Sequence, residues 1–162
     1  LKGIDIAVRA FEKLPDKKLY VAGNGPMMEE MQRYVREHHM ENVKFLGYLQ
    51  KDEMSEKFYQ AKAVIMTSQC YEAFAMTIAE AYSYGVPVIA GRVGNMDGMV
   101  QDGITGVKFT YNSAEDLADK ISAFDAMDLS VLKKNARAFY AERLRPEDNY
   151  QKLIRIYEDI SK

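Results

Sequence analysis

A single cysteine, Cys70, stands among 162 residues, so no disulfide can close within the chain. That is the usage of a reducing compartment, and a cytoplasmic location is expected. No apolar run approaches the ~20 residues that a membrane-crossing helix needs. No leader with a charged start, an apolar centre and a cleavage site is visible. Lysine and arginine number 22 against 24 acidic residues, a net charge of -2. No basic stripe breaks that balance, so nucleic acid, whose phosphates are met by clustered cations, is not an expected partner. Internal repeats, low-complexity segments and interdomain linkers are also missing.

What remains is an ordinary globular composition, 48% hydrophobic and 28% charged. The length suits one domain, which buries roughly 70% of its unfolded surface and needs no staple. The chain opens on Leu1, within a turn that leads into a helix, and reads as a piece of a longer protein.

Strand-length apolar runs alternate with helical patterns of 10–15 residues, which predicts an α/β domain: three layers, Rossmann-like, with one parallel sheet flanked by helices. Helices are predicted over 4–14, with Ile4, Ala7, Val8 and Phe11 on one face, and over 27–39, 74–84, 114–121, 129–144 and 146–160. Another helix should be capped by Asp52 and run to about Ala61. One or two helical turns are expected over 95–100. Strands are predicted over 18–22, 43–46, 63–66, 86–90 and 107–109. Gly85 before Pro87 reads as a helix C-cap. Ser113 with Asp116 reads as a capping-box-like start. In such sheets ligands sit beyond the carboxyl ends of the strands, near the point where strand order reverses.

The informative stretch is 67–91, TSQCYEAFAMTIAEAYSYGVPVIAG. It holds a strand end, a loop with Glu72, a helix start, Glu80 inside that helix, and a second strand. A helix amino end offers free N–H groups and a positive dipole end, which suit phosphate. With the helix starting at Phe74, Glu80 lies roughly 9 Å along the axis, at about 1.5 Å per residue. There a carboxylate can accept from two ribose hydroxyls. Ile78, Ala79 and Ala81 suggest a mostly buried helix, where an unpaired carboxylate is costly; that adds weight to a ligand for Glu80.

Glu72-x7-Glu80 followed by Gly85-Val86-Pro87 resembles the E-x7-E segment of family-four retaining glycosyltransferases of the GT-B fold. Lys2-Gly3, Val21-Ala22-Gly23-Asn24-Gly25-Pro26, Val43-Lys44-Phe45-Leu46-Gly47, Ser68 and Asp102-Gly103-Ile104-Thr105-Gly106 are similar to that family in order and spacing. The likeness runs from about Lys2 to Ile121. It implies the C-terminal, donor-binding half of such an enzyme, with the N-terminal acceptor domain outside this chain and the half by itself inactive. It implies transfer of a hexosyl group from a nucleoside diphosphate sugar, a UDP-sugar before GDP- or ADP-sugar, to a glycan or lipid-linked acceptor with retention. No cofactor and no metal are implied; no Asp-x-Asp occurs. Glu72 matches the glutamate at the donor sugar and would be catalytic. Lys2 matches the lysine at the diphosphate, whose arginine partner would precede Leu1. Glu80 matches the ribose glutamate. Backbone at Phe74 and Ala75 would hold the distal phosphate, and backbone near Gly47 and Tyr48 would border the base. Gly23, Gly25 and Ser68 complete the donor-side set.

Two departures stand out. The family's Glu-Gly-Phe-Gly is Glu72-Ala73-Phe74-Ala75 here, and a positive φ at either alanine would cost on the order of 1 kcal/mol. The family's Gly-Gly-x-x-Glu becomes Gly94-Asn95-Met96-Asp97-Gly98, leaving Asp97 as the nearest acid. Of the other residues, Gly23-x-Gly25 reads foremost as a tight strand-to-helix turn. Ser68 reads as a loop cap, Cys70 as an unreactive thiol and His38-His39 as a helix C-terminus. Lys133, Lys134, Arg137, Arg143 and Arg145 read as a solvated face that could also meet a membrane surface. A binding module without transfer, or a sugar-nucleotide epimerase of the same layout, is the alternative; a phosphorylase would need a pyridoxal-bearing lysine, for which the sequence makes no case.

Overall fold

The computed structural model describes residues 2–71 and 73–160. Its elements alternate as expected: α1 (Ile4–Glu12), β1 (Leu19–Ala22), α2 (Met28–Glu37), β2 (Val43–Gly47), α3 (Lys51–Gln60), β3 (Val64–Met66), α4 (Met76–Ser83), β4 (Val88–Gly91), α5 (Gly94–Met99), β5 (Gly106–Phe109), α6 (Ala114–Phe124), α7 (Leu129–Arg143) and α8 (Pro146–Ile160). Every strand pairing is parallel.

The sheet is not continuous. β1 pairs with β2, and β3-β4-β5 form a second sheet, with no ladder between β1 and β3 among the described residues. The single sheet read from the sequence is thus corrected to two parallel pieces. Between them lies a cavity of about 1060 Å³.

Helices cover both faces, giving three layers. β4 is buried at all four residues. Its Ile89 joins Val107, Phe109 and residues of α1, α2 and α6 in one apolar cluster. Its Val88 and Ala90 join Phe58 of α3 and residues of α4, α5 and α7 in the other. Period-2 alternation along a strand buried on both sides requires this split.

Local chemistry sets the ends. Gly85 at φ 67 terminates α4, with Gly85 N–H donating to Tyr82 O and Val86 N–H to Ala81 O, both 2.9 Å. That is a Schellman closure. His39, at φ 51, takes the left-handed place after α2, beyond the C-cap His38. Ser113 Oγ accepts from Asp116 N–H at 3.1 Å, but the Asp116 carboxylate turns to Thr110 N–H, so only half of the expected box forms. α3 is capped by Gln50, not Asp52: Gln50 and Glu53 form the reciprocal box, and Asp52 falls in the first turn, where its charge still suits the dipole. β4 starts at Val88 rather than Val86, because the Schellman turn and Pro87 use up the intervening residues.

No helix among the described residues is long and apolar enough to cross a membrane. α8 has no buried residue and leaves Tyr150, Leu153, Ile156 and Ile160 exposed.

Candidate functional site

The carboxyl ends of β1 and β3 open onto one cleft, continuous with the cavity between the sheets. Lys2, Gly23, Gly25, Ser68 and Glu80 line it together, as five of the residues singled out in the sequence.

Lys2 is brought there by a close backbone approach. Gly3, the N-cap of α1, has φ 67, and a Cβ on it would lie 2.0 Å from Thr67 O. Only glycine fits there. Thr67 Oγ1 donates to Lys2 O at 2.9 Å. Lys2 is thereby tied to the end of β3, next in the chain to the buried Ser68.

Gly23 and Gly47 close the other side. Gly23 N–H donates to Gly47 O at 2.6 Å, both residues have positive φ, and the β1–β2 register shifts between Val21 and Ala22. Gly47 and the exposed Tyr48 sit at the end of β2, outside the cavity wall. Gly25 accepts from Met28 N–H at 3.0 Å as α2 begins.

The amino end of α4 is the third wall. Of the described helices whose caps are resolved, α4 alone has neither an acid in its first turn nor a capping side chain. Among the described residues, no acceptor meets the N–H groups of Phe74, Ala75 and Thr77. This end therefore keeps its dipole charge and its free donors, the properties that attract an oxyanion. Ala75 is fully buried with φ -82, so the departure from glycine at this position costs no left-handed strain. Phe74 and Ala75 mark the helix end, whereas Thr77 and Glu80 reach the cavity.

Two expectations are corrected. α4 starts at Met76, so Glu80 lies roughly 6 Å along the axis at about 1.5 Å per residue, not 9 Å. Glu80 is also exposed: Ile78, Ala79, Ala81 and Tyr82 form the buried face, and the carboxylate has no partner among the described residues. Its case rests on position, not on the cost of burial. Glu72, the residue expected at the sugar, lies outside the described residues.

The loop before α4 is held from three sides. Asn95 Nδ2 donates to Ala73 O at 2.6 Å. Tyr111 Oη donates to Gln69 O at 3.0 Å, and Gln69 Nε2 donates to Asn112 Oδ1 at 2.8 Å. Gly94, at φ 52, lies against Tyr71, whose Cδ1 would be 2.8 Å from a Cβ there. Beneath the helix, Tyr82 Oη and Thr105 Oγ1 share a buried hydrogen bond of 2.7 Å, and Thr105 Oγ1 accepts from Gln101 N–H. Burial pushes the Tyr82 phenol up to about 12, opposed by the Thr105 bond. Asp97 is not among the residues that line the cleft. Lys108 Nζ donates to its carbonyl at 2.6 Å and lies 3.0 Å from Oδ1, an ion pair rather than an aligned hydrogen bond; Arg92 adds a 3.7 Å contact.

Sequence reasoning missed Thr77, whose i, i+3 spacing to Glu80 was the available signal. It also missed Asn95 as a tether, for which the sequence carries no local mark.

A three-layer parallel domain with a bare helix end, a lysine and a carboxylate around one cleft defines a Rossmann-like module. The model of the family "Glycosyl transferases group 1" matches residues 1–139, and the chain belongs to that family. Sulfoquinovosyl transferase SQD2 of Arabidopsis thaliana is 29% identical over 141 residues, 84% of this chain and 27% of that protein. The solved sucrose-phosphate synthase of Thermosynechococcus elongatus superposes with a TM-score of 0.86 at 26% identity, over 98% of this chain and 42% of that one. HepE of Anabaena, solved in complex with UDP, gives a TM-score of 0.88 at 23% identity, over 98% and 45%. The fold is that of one half of a GT-B glycosyltransferase. The chain spans less than half the length of each of these proteins.

Proposed function

We propose that this chain is the donor-binding half of a retaining hexosyltransferase that uses a nucleoside diphosphate sugar, a UDP-sugar in the first instance. The observation that carries this reading is the bare amino end of α4, opening beside Lys2, Ser68 and Glu80 in one cleft. A diphosphate seated there has its charge met by three free N–H groups and one ammonium. The ribose lies along α4, where the Glu80 carboxylate accepts from its hydroxyls. The base rests on backbone near Gly47 and Tyr48, and the sugar projects toward the loop that carries Glu72. As the glycosidic bond to phosphate breaks, negative charge grows on the leaving diphosphate, and the same donors stabilise it more strongly than in the ground state.

The acceptor, a glycan or a lipid-linked saccharide, is met by a further domain of the longer polypeptide. The chain works in the cytoplasm, at the inner membrane face where the acceptor is lipid-linked. UDP bound to HepE supports the choice of nucleotide.

The test is calorimetric titration of the longer polypeptide with UDP, GDP and ADP, followed by turnover with the matching sugar nucleotide. UDP binding weakened by Glu80→Ala, turnover lost in Glu72→Ala and a product of unchanged anomeric configuration are expected. Unchanged affinity and turnover in both variants would sink the site assignment.

A further inference from the structure

We infer that Tyr71 is a stacking platform for a pyranose ring of the acceptor, set on the rim of the cleft beside the amino end of α4. The inference rests on the donor-binding reading above for what lies at that rim. The Tyr71 side chain is 85% exposed, and its hydroxyl has no partner among the described residues. An exposed tyrosine is ordinary by itself. This one has a seat. Its Cα, Cδ1 and Cε1 would lie 3.5, 2.8 and 3.6 Å from a Cβ on Gly94. The ring takes the space that the missing side chain leaves, and Gly94, at φ 52, is in a conformation that favours glycine for a second reason.

The residue after Gly94 fixes the same loop. Asn95 Nδ2 donates to Ala73 O, so the start of α5 grips the chain at both 71 and 73. Tyr111 Oη holds Gln69 O just upstream. A ring seated along one edge on a tethered loop keeps its remaining surface for a ligand and has little freedom left to lose on binding. The same loop also exposes Phe74 and Met76. Exposed large apolar side chains concentrated on one short loop mark a binding surface rather than ordinary scatter.

Position and chemistry select the ligand. Ser68 and Thr77, at the two ends of the loop, line the cleft, whereas Tyr71, Phe74 and Met76 do not. The apolar side chains are therefore displayed outside the donor pocket. With the diphosphate at the amino end of α4 and the base near Gly47 and Tyr48, the group that receives the sugar approaches over this rim. A pyranose suits the ring: its axial C–H groups make an apolar face that lies on an aromatic surface, and its equatorial hydroxyls stay in water at the edge. The free phenol hydroxyl stays wet in the same arrangement, which fits a polyhydroxylated ligand better than a dry protein contact.

The experiment is NMR on the longer polypeptide, with the methyl glycosides of glucose, galactose, mannose and N-acetylglucosamine as probes, each titrated with and without UDP. At least one pyranoside is expected to receive magnetisation from the Tyr71 ring protons. Its affinity is expected to fall about 5-fold in Tyr71→Ala and to stay within about 2-fold in Tyr71→Phe, while UDP affinity is unchanged in both. Pyranoside contact in a protein that binds no UDP would keep Tyr71 as the platform and remove the donor-binding reading. UDP binding that depends on Glu80, with no contact from any of the four glycosides to Tyr71, would overturn the inference and leave that reading in place. Equal losses in Tyr71→Phe and Tyr71→Ala would also overturn it, since the hydroxyl and not the ring would then carry the binding. So would contacts from the Tyr71 ring to another part of the polypeptide, which would make it a domain contact.

Discussion

The Cα of Gly3 lies against the carbonyl of Thr67 so closely that a Cβ would stand 2.0 Å from the oxygen. That contact sets the start of α1 against the end of β3. Gly3→Ala adds the clash to a left-handed penalty, and a loss of roughly 2–4 kcal/mol is expected in urea unfolding. Gly25→Ala, where no heavy atom lies within 4 Å and φ is not positive, should change stability by less than about 0.5 kcal/mol.

Glu80→Gln keeps the shape of the side chain and removes its charge. The carboxylate is exposed and has no partner among the described residues, so stability should hold within about 0.5 kcal/mol. On the proposed function, weakened hydrogen bonds to ribose lower UDP affinity about 10- to 100-fold by calorimetry. Undiminished affinity would remove Glu80 from the donor site.

Tyr82→Phe removes a buried hydroxyl while Thr105 Oγ1 keeps its bond from Gln101 N–H. A cost of about 1 kcal/mol is expected in thermal unfolding. The wild-type phenol, raised by burial to about 12, binds its proton more tightly folded than unfolded. Its contribution is therefore full below the ordinary value of 10.0 and is lost as pH rises from there toward 12. Phenol carbon shifts in an NMR titration check the value. Ionisation near 10 would contradict the burial.

Lys17 Nζ lies 2.5 Å from Asp125 Oδ2, and this bond is the main cause that holds the Asp125 carboxyl below its usual range and raises the Lys17 ammonium. The depressed carboxyl stabilises the fold above its unfolded value and loses that effect as pH falls through its folded value. Both groups are partly solvated, so Asp125→Asn should cost only about 0.5 kcal/mol at pH 7. Urea midpoints measured from pH 7 down to 2 should bring wild type and variant together at the acid end. A constant difference would assign the effect to packing.

The helices and strands were legible because their signals are local. The 3.6-residue spacing of Ile4, Ala7, Val8 and Phe11 and the Gly85–Pro87 stop each need only a few neighbours to act. The break between β1 and β3 was not legible, since side-chain alternation tells which face of a strand is buried but not which strand lies beside it. Gln50 took the cap from Asp52 because two polar residues within three positions compete, and only the reciprocal bond with Glu53 decides. Glu80 was misread as buried because its chain neighbours are buried; at 100° per residue, adjacent helix positions face different ways. The cleft residues Lys2, Gly23, Gly25, Ser68 and Glu80 were legible through the family likeness, and the loop tethers were not, since Asn95 finds Ala73 only in three dimensions.

Because Ile89 belongs to one apolar cluster and Val88 and Ala90 to the other, Val88–Gly91 cannot gain or lose a single residue without exchanging the two cores. One-residue insertions and deletions are expected to be tolerated in the loops rather than in this strand. The length of the strand that parts the two cores is thus the dimension of this fold that descent can least readily alter.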